Sequence, residues 1–181
     1  ELLDCYTKEQ IDEHGDSILP QNDLVFDYIG LLTLSERYLA IDIDGRVFLF
    51  YIGIRHYDPS TTWGFEPVGT GLATFDSAAG DCERVLRDGN WRLWSHADGL
   101  HFGVQVVRKK DWIYAFSSRQ TGPFSAAILS RVSPDAITDP DAWQHLTGTA
   151  PDWSGRIENA FELAWCGPEF SVSWNEYRKQ Y

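Results

Sequence analysis

The sequence predicts an all-β fold made of β-propeller blades, each of four antiparallel strands, with the ring incomplete. Three observations carry this. Hairpin turns recur near residues 45, 110 and 176, a spacing of about 65 residues. The first two hairpins lead into the same succession: a polar loop, a third strand rich in small residues and a short outer strand. The chain then stops inside the third hairpin. Four antiparallel strands per repeat is the plan of a propeller blade. A sandwich also has many short strands, but it does not account for the recurring order.

Composition sets the outer bounds. The chain has 181 residues, 43% of them apolar, enough for a packed core. No apolar run approaches the roughly 20 residues that span a bilayer, so no membrane partner is expected. The net charge of −12 argues against nucleic acid, whose phosphates need a basic footprint. The chain opens at Glu1 and has no methionine, as a processed or trimmed start would. Cys5, Cys82 and Cys166 are an odd number, so at least one thiol has no partner within the chain. They show no metal-ligand spacing. No cofactor is expected; an acidic channel lining would suit calcium, but no EF-hand-like loop supports it.

In chain order, residues 1–37 read as a segment connecting from a preceding blade, with one short helical turn between Thr7 and Gly15. The first blade spans 38–99. It opens with "RYLAIDIDGRVFLFYIGI", two β-rich runs around Asp44-Gly45, a pair suited to a type I′ turn. "RHYDPSTTWG" is its loop, "FEPVGTGLATF" its third strand and "CERVLRD" its outer strand. The glycines of "VGTGLA" have no GxGxxG and no following helix, so they predict close packing between blades. The second blade spans 100–165: a hairpin turning at Lys109 to Asp111, the loop "RQTG", the strand "PFSAAILSRV", then a short helical turn and a last short strand. Residues 166–181 start a further blade, with "NEYRK" at the turn. The remaining blades of a longer chain are the expected partners for ring closure.

Aromatic residues make up 14% of the chain, including eight tryptophans. Indole faces suit the C–H faces of sugar rings, but they also wedge β-sheets together. The loop after the first hairpin gathers Arg55, His56, Tyr57, Asp58, Trp63 and Glu66, which together would hydrogen-bond hydroxyls and stack a ring. Asp58-Pro59 also suits a plain turn start, and Glu66 a pairing with Arg55. His101 and Phe102 open the inner strand of the second blade, and Trp94, His96 and Asp98 stand just before it. Asp27 precedes the first hairpin. Arg119 starts the second blade's loop, where it would clamp an acidic group or simply face solvent.

The run from "FGVQVVRKKDWIYAFSSRQTGPFSAAILSRVSPDAITDPDAWQHLTG" to "GPEFSVSWNEYRKQY" resembles the DUF4185 group of five-bladed β-propellers. That group is similar in shape to the glycoside hydrolases of families 43, 32 and 62, and some members are family 183 glycoside hydrolases acting on arabinan-type polysaccharides. The resemblance covers most of residues 38 to 181 and rests on the order and spacing of "A.ILSRV", "DAITDPDAW" and "GPEFSVSWN". It implies a carbohydrate substrate, an extracellular or periplasmic setting and an acidic site residue at Glu169. The family's first blade is not recognisable here. Glycoside hydrolysis uses two carboxyl groups, about 5 to 5.5 Å apart for retention and about 6.5 to 9.5 Å apart for inversion. Glu169 and Asp58 are the catalytic candidates; Arg55, His56, Trp63, Glu66, His101 and Phe102 are the substrate-binding candidates. The alternatives are a carbohydrate-binding propeller without catalysis and a structural or interaction propeller.

Overall fold

A computed structural model describes residues 40–56, 65–76, 81–97, 99–121, 123–149, 152–167 and 170–179. The expectations for Asp27 and for the helical turn near Thr7 lie outside them. The described chain is all-β, with two antiparallel sheets. It divides into two compact units, Glu1–His101 and Phe102–Tyr181. Among the described residues no helix is long and apolar enough to cross a membrane.

The first sheet has the order β1 (Ala40–Ile43), β2 (Arg46–His56), β3 (Phe65–Asp76) and β4 (Asp81–Arg84), with β5 (Trp94–Ser95) also on β3. The β1–β2 turn is as predicted: Asp44 and Gly45 both have positive φ, 55° and 90°, and Ile43 stands opposite Arg46. β2 and β3 are buried on both faces, which is why they read as continuous apolar runs. Phe50 and Leu72 form a directly opposed pair on one face, and Tyr51, Leu49 and Ala73 lie on the other.

Glycines on that second face accept large neighbours. A Cβ on Gly53 would run into the Trp91 indole, and one on Gly71 into the ring of Tyr51, its cross-strand partner. Tyr51 and Trp91 in turn stack at 5.8 Å. The "VGTGLA" glycines thus do permit close approach, but by residues of their own unit. The expectation of inter-blade packing missed this because Gly71 meets Tyr51 across the β2–β3 ladder and Gly69 meets the Arg92 side chain and the Trp94 carbonyl, both from the segment after β4.

The second sheet has the order β6 (Leu100–Lys109), β7 (Trp112–Thr121), β8 (Phe124–Val132), β9 (Gln144–Leu146) and β10 (Trp153–Ser154); β11 (Ala164–Cys166) pairs with β8 beyond β9. β9 meets β8 at Ser130 and Arg131, and β11 meets it at Ser125 to Ala127, so the outer strand is built from two pieces. The first three residues of "RQTG" are not a loop: Arg119, Gln120 and Thr121 belong to β7, with Thr121 opposite Phe124. Alternate residues of β7 and β8 (Ile113, Ala115, Ser117, Ile128, Ser130 and Val132) point into the core. Trp143 closes it, fully buried, edge-on to Phe102 at 5.1 Å, with its indole N–H on the Ile137 carbonyl at 3.3 Å.

The "PDAITDPDAW" stretch forms two 3₁₀ turns, Pro134–Ala136 and Pro140–Ala142, each opened by proline. At the C-terminal end, residues 176–179 do form a turn, with the Asn175 side chain accepting from Arg178 N at 2.8 Å. The "SVSW" stretch before it, however, is not in a ladder. The Val172 amide instead donates to the Gln105 side chain.

Candidate functional site

The β2–β3 loop, with Asp58 and Trp63, leaves the first sheet at His56 and re-enters at Phe65. The loop itself and Glu169 lie outside the described residues. Its two stems are a backbone ladder: Arg55 is directly opposite Glu66, and His56 is opposite Phe65. A register shift at Gly53/Ile54 precedes them. Such bulges re-aim a strand end.

The segment after β5 returns to the same end of the sheet. His96 N donates to Val68 O at 3.3 Å, two residues along β3 from Glu66. A turn follows, closed by Gly99 N on His96 O at 2.9 Å, and leads to His101. The two imidazoles meet edge to face, with ring centroids 4.3 Å apart. Three of the predicted binding positions, Arg55, His56 and Glu66, therefore share the end of the first sheet to which the His96 amide is bonded, and a fourth, His101 at the start of β6, packs its ring on that of His96.

The hydrogen bonds set what these rings can do. His96 Nδ1 lies 3.0 Å from the Leu100 carbonyl oxygen, which only accepts. Nδ1 is therefore the donor in this contact. His101 is held neutral at physiological pH: burial, and secondarily His96, pushes its pKa down to about 4. A neutral imidazole such as His101 both donates to and accepts from hydroxyls. Among the described residues no cluster of histidine, cysteine and carboxylate side chains could hold a metal.

Phe102 does not join this end. Its ring is 2% exposed in the core of the second unit, against Trp143, and offers no face to a ligand. Trp94 is likewise structural, buried 5.9 Å from Phe50. Arg119 sits in strand β7, and its guanidinium donates to the Ile157 carbonyl, tying the chain after β10 to the sheet. A Ser–His pair that sequence motifs did not flag, Ser130 Oγ to His145 Nδ1 at 2.8 Å, arises from cross-strand register. Both residues are buried, which makes the pair a core hydrogen bond and not a nucleophile within reach of substrate.

Burial, and secondarily Arg119, pushes the His145 pKa down to about 4; Glu158 opposes this. The unfolded chain takes up this proton near the ordinary value of 6.5, the folded chain only near 4. Stability from His145 is therefore complete above pH 6.5 and lost as pH falls toward 4, by about 3 kcal/mol in the limit. His101 acts in the same sense but less, being partly exposed to screening solvent. Urea titrations at pH 7.5 and pH 4.5 should show the midpoint fall on acidification, and His145→Gln should flatten the fall. An unchanged midpoint in the parent protein would contradict the burial of these rings.

No protein-family model matches the chain, and a search of curated proteins gives no match either.

Proposed function

We propose that this chain is part of a carbohydrate-active β-propeller, its two sheets being consecutive blades and its saccharide site lying at the β2–β3 end of the first. The observation that carries the reading is that Arg55, His56 and Glu66 stand at the last paired positions of the β2–β3 ladder, that the His96 amide is bonded to the same strand at Val68, and that the His101 ring packs on His96. Imidazoles, a guanidinium, carboxylates and an indole are the groups that bind a polyol: several hydrogen bonds in different directions and one flat apolar face.

In this reading the reaction is O-glycosyl hydrolysis of an arabinan-type polysaccharide. Glu169 and Asp58 act as the carboxyl pair, one protonating the leaving oxygen and the other serving as nucleophile or base. The support for this step is the family resemblance around "GPEFSVSWN"; the support for saccharide binding is the site itself.

The test is release of reducing ends from arabinan. Glu169→Gln and Asp58→Asn should each lower kcat by at least about a hundredfold. His101→Ala should raise KM several-fold with a smaller effect on kcat. Saccharide binding without hydrolysis would favour the non-catalytic alternative, and no binding would reject the reading.

An interaction module is the second reading. It is favoured by one observation: Phe124 and Trp165 stand 61% and 67% exposed, edge to face at 5.4 Å. Self-association in sedimentation that Trp165→Ser removes would move this reading ahead.

A further inference from the structure

The outward face of the second sheet carries a built cation. Arg131 on β8 lies directly opposite Tyr114 on β7 and Gln144 on β9. Trp112 stands two residues along β7 from Tyr114. Trp153 is opposite Leu146, two residues along β9 from Gln144 in the other direction along β8. The register therefore sets one indole on each side of Arg131. Its guanidinium carbon is 4.2 Å from the Trp112 ring centroid and 4.0 Å from that of Trp153. Nε donates to Gln144 Oε1 at 3.0 Å. Tyr114 completes the row, 6.3 Å from Trp153 between ring centroids.

Two stacked faces and one anchored nitrogen leave the guanidinium one direction in which to bind: outward through its Nη edge. Among the described residues no carboxylate pairs with it. This is notable in a chain of net charge −12, where acceptors for a surface arginine are plentiful. A stacked guanidinium has lost little further freedom to give up on binding, and its fork matches a carboxylate with two parallel hydrogen bonds. The half-buried rings of Trp153 and Tyr114 beside it supply apolar surface for a pyranose. The overall negative charge acts weakly here, since salt screens exposed charges beyond about 8 Å.

We propose that the Arg131 edge, framed by Trp112, Trp153 and Tyr114, is a subsite for the carboxylate of an acidic saccharide, a uronate. The proposal rests on the carbohydrate reading above and adds to it a charged sugar and a second place of contact. The site needs no metal or proton transfer. It works as a bidentate anchor beside a stacking surface.

The test is calorimetric titration of the full chain with trigalacturonate, with its methyl ester, and with a neutral arabinan-type oligosaccharide. The free acid should bind at least about tenfold tighter than the ester, the scale of one charge-assisted bidentate contact. Arg131→Gln, with its fold checked by circular dichroism, should abolish that preference. The ester comparison uses the unaltered protein, so it decides the matter even if the variant fails to fold. Equal binding of acid and ester, or a preference that survives in folded Arg131→Gln, overturns the subsite. If the neutral oligosaccharide still binds in a His101-dependent way, the carbohydrate reading stands without it. Binding of none of the three overturns both.

Discussion

Trp143→Ala should unfold or nearly unfold the second unit. The indole is fully buried, meets Phe102 edge-on and gives its N–H to the Ile137 carbonyl. Truncation removes the apolar area, leaves a cavity and orphans that carbonyl. Large-to-small changes of this kind cost about 3 to 5 kcal/mol. In a unit of 80 residues (Phe102–Tyr181), that is a melting-temperature loss of roughly 15 °C or more. Calorimetry should show one transition displaced downward while the first unit's transition moves less. Trp143→Phe should recover much of the loss, since it restores most of the volume but not the hydrogen bond. A shift of only one or two degrees in Trp143→Ala would mean that the core is not built around this residue.

The second large effect is expected at Gly53. A methyl group there would overlap the Trp91 indole, so Trp91 must leave or the strand must bend. Trp91 is 3% exposed and stacked on Tyr51, which itself lies over Gly71. Displacing it undoes a chain of three contacts, at about 3 kcal/mol. Gly53→Ala should therefore lower the denaturation midpoint and red-shift the tryptophan emission as an indole becomes wet. Adding Trp91→Ala to Gly53→Ala should cost less than the sum of the two single changes, because the methyl group then has room. Strict additivity would show that the two residues are not in contact.

Local chemistry was the most legible part of this chain. Asp44-Gly45 encodes its turn by itself, through residues that tolerate positive φ. The β2, β3, β6, β7 and β8 strands follow from β-rich runs bounded by polar or glycine-containing breaks. The two proline-led 3₁₀ turns were legible as a single helical turn. Features that depend on pairing between distant segments were not. "RQTG" looks like a loop until Phe124 is seen to pair with Thr121. β11 is a short run whose place on β8 is decided by tertiary contacts. The stack on Arg131 joins residues from three strands and becomes visible only when the register is known.

At the candidate site, the gathering of Arg55, His56 and Glu66 followed from their flanking one loop. The arrival of His96 beside them did not, because it depends on the bond to Val68. Phe102 was misjudged for the ordinary reason that alternate strand residues face opposite ways: it is next to His101 in sequence and turned into the core.

The central claim is that a saccharide binds at the β2–β3 end of the first sheet. The most direct measurement is an amide chemical-shift titration of the isotopically labelled full chain with an arabinan-type oligosaccharide. The account predicts saturable shifts concentrated at Arg55, His56, Glu66 and Val68 and from His96 to His101, with the amides around Trp143 unmoved. Shifts confined to the Phe124–Trp165 surface, or none at millimolar sugar, would contradict it.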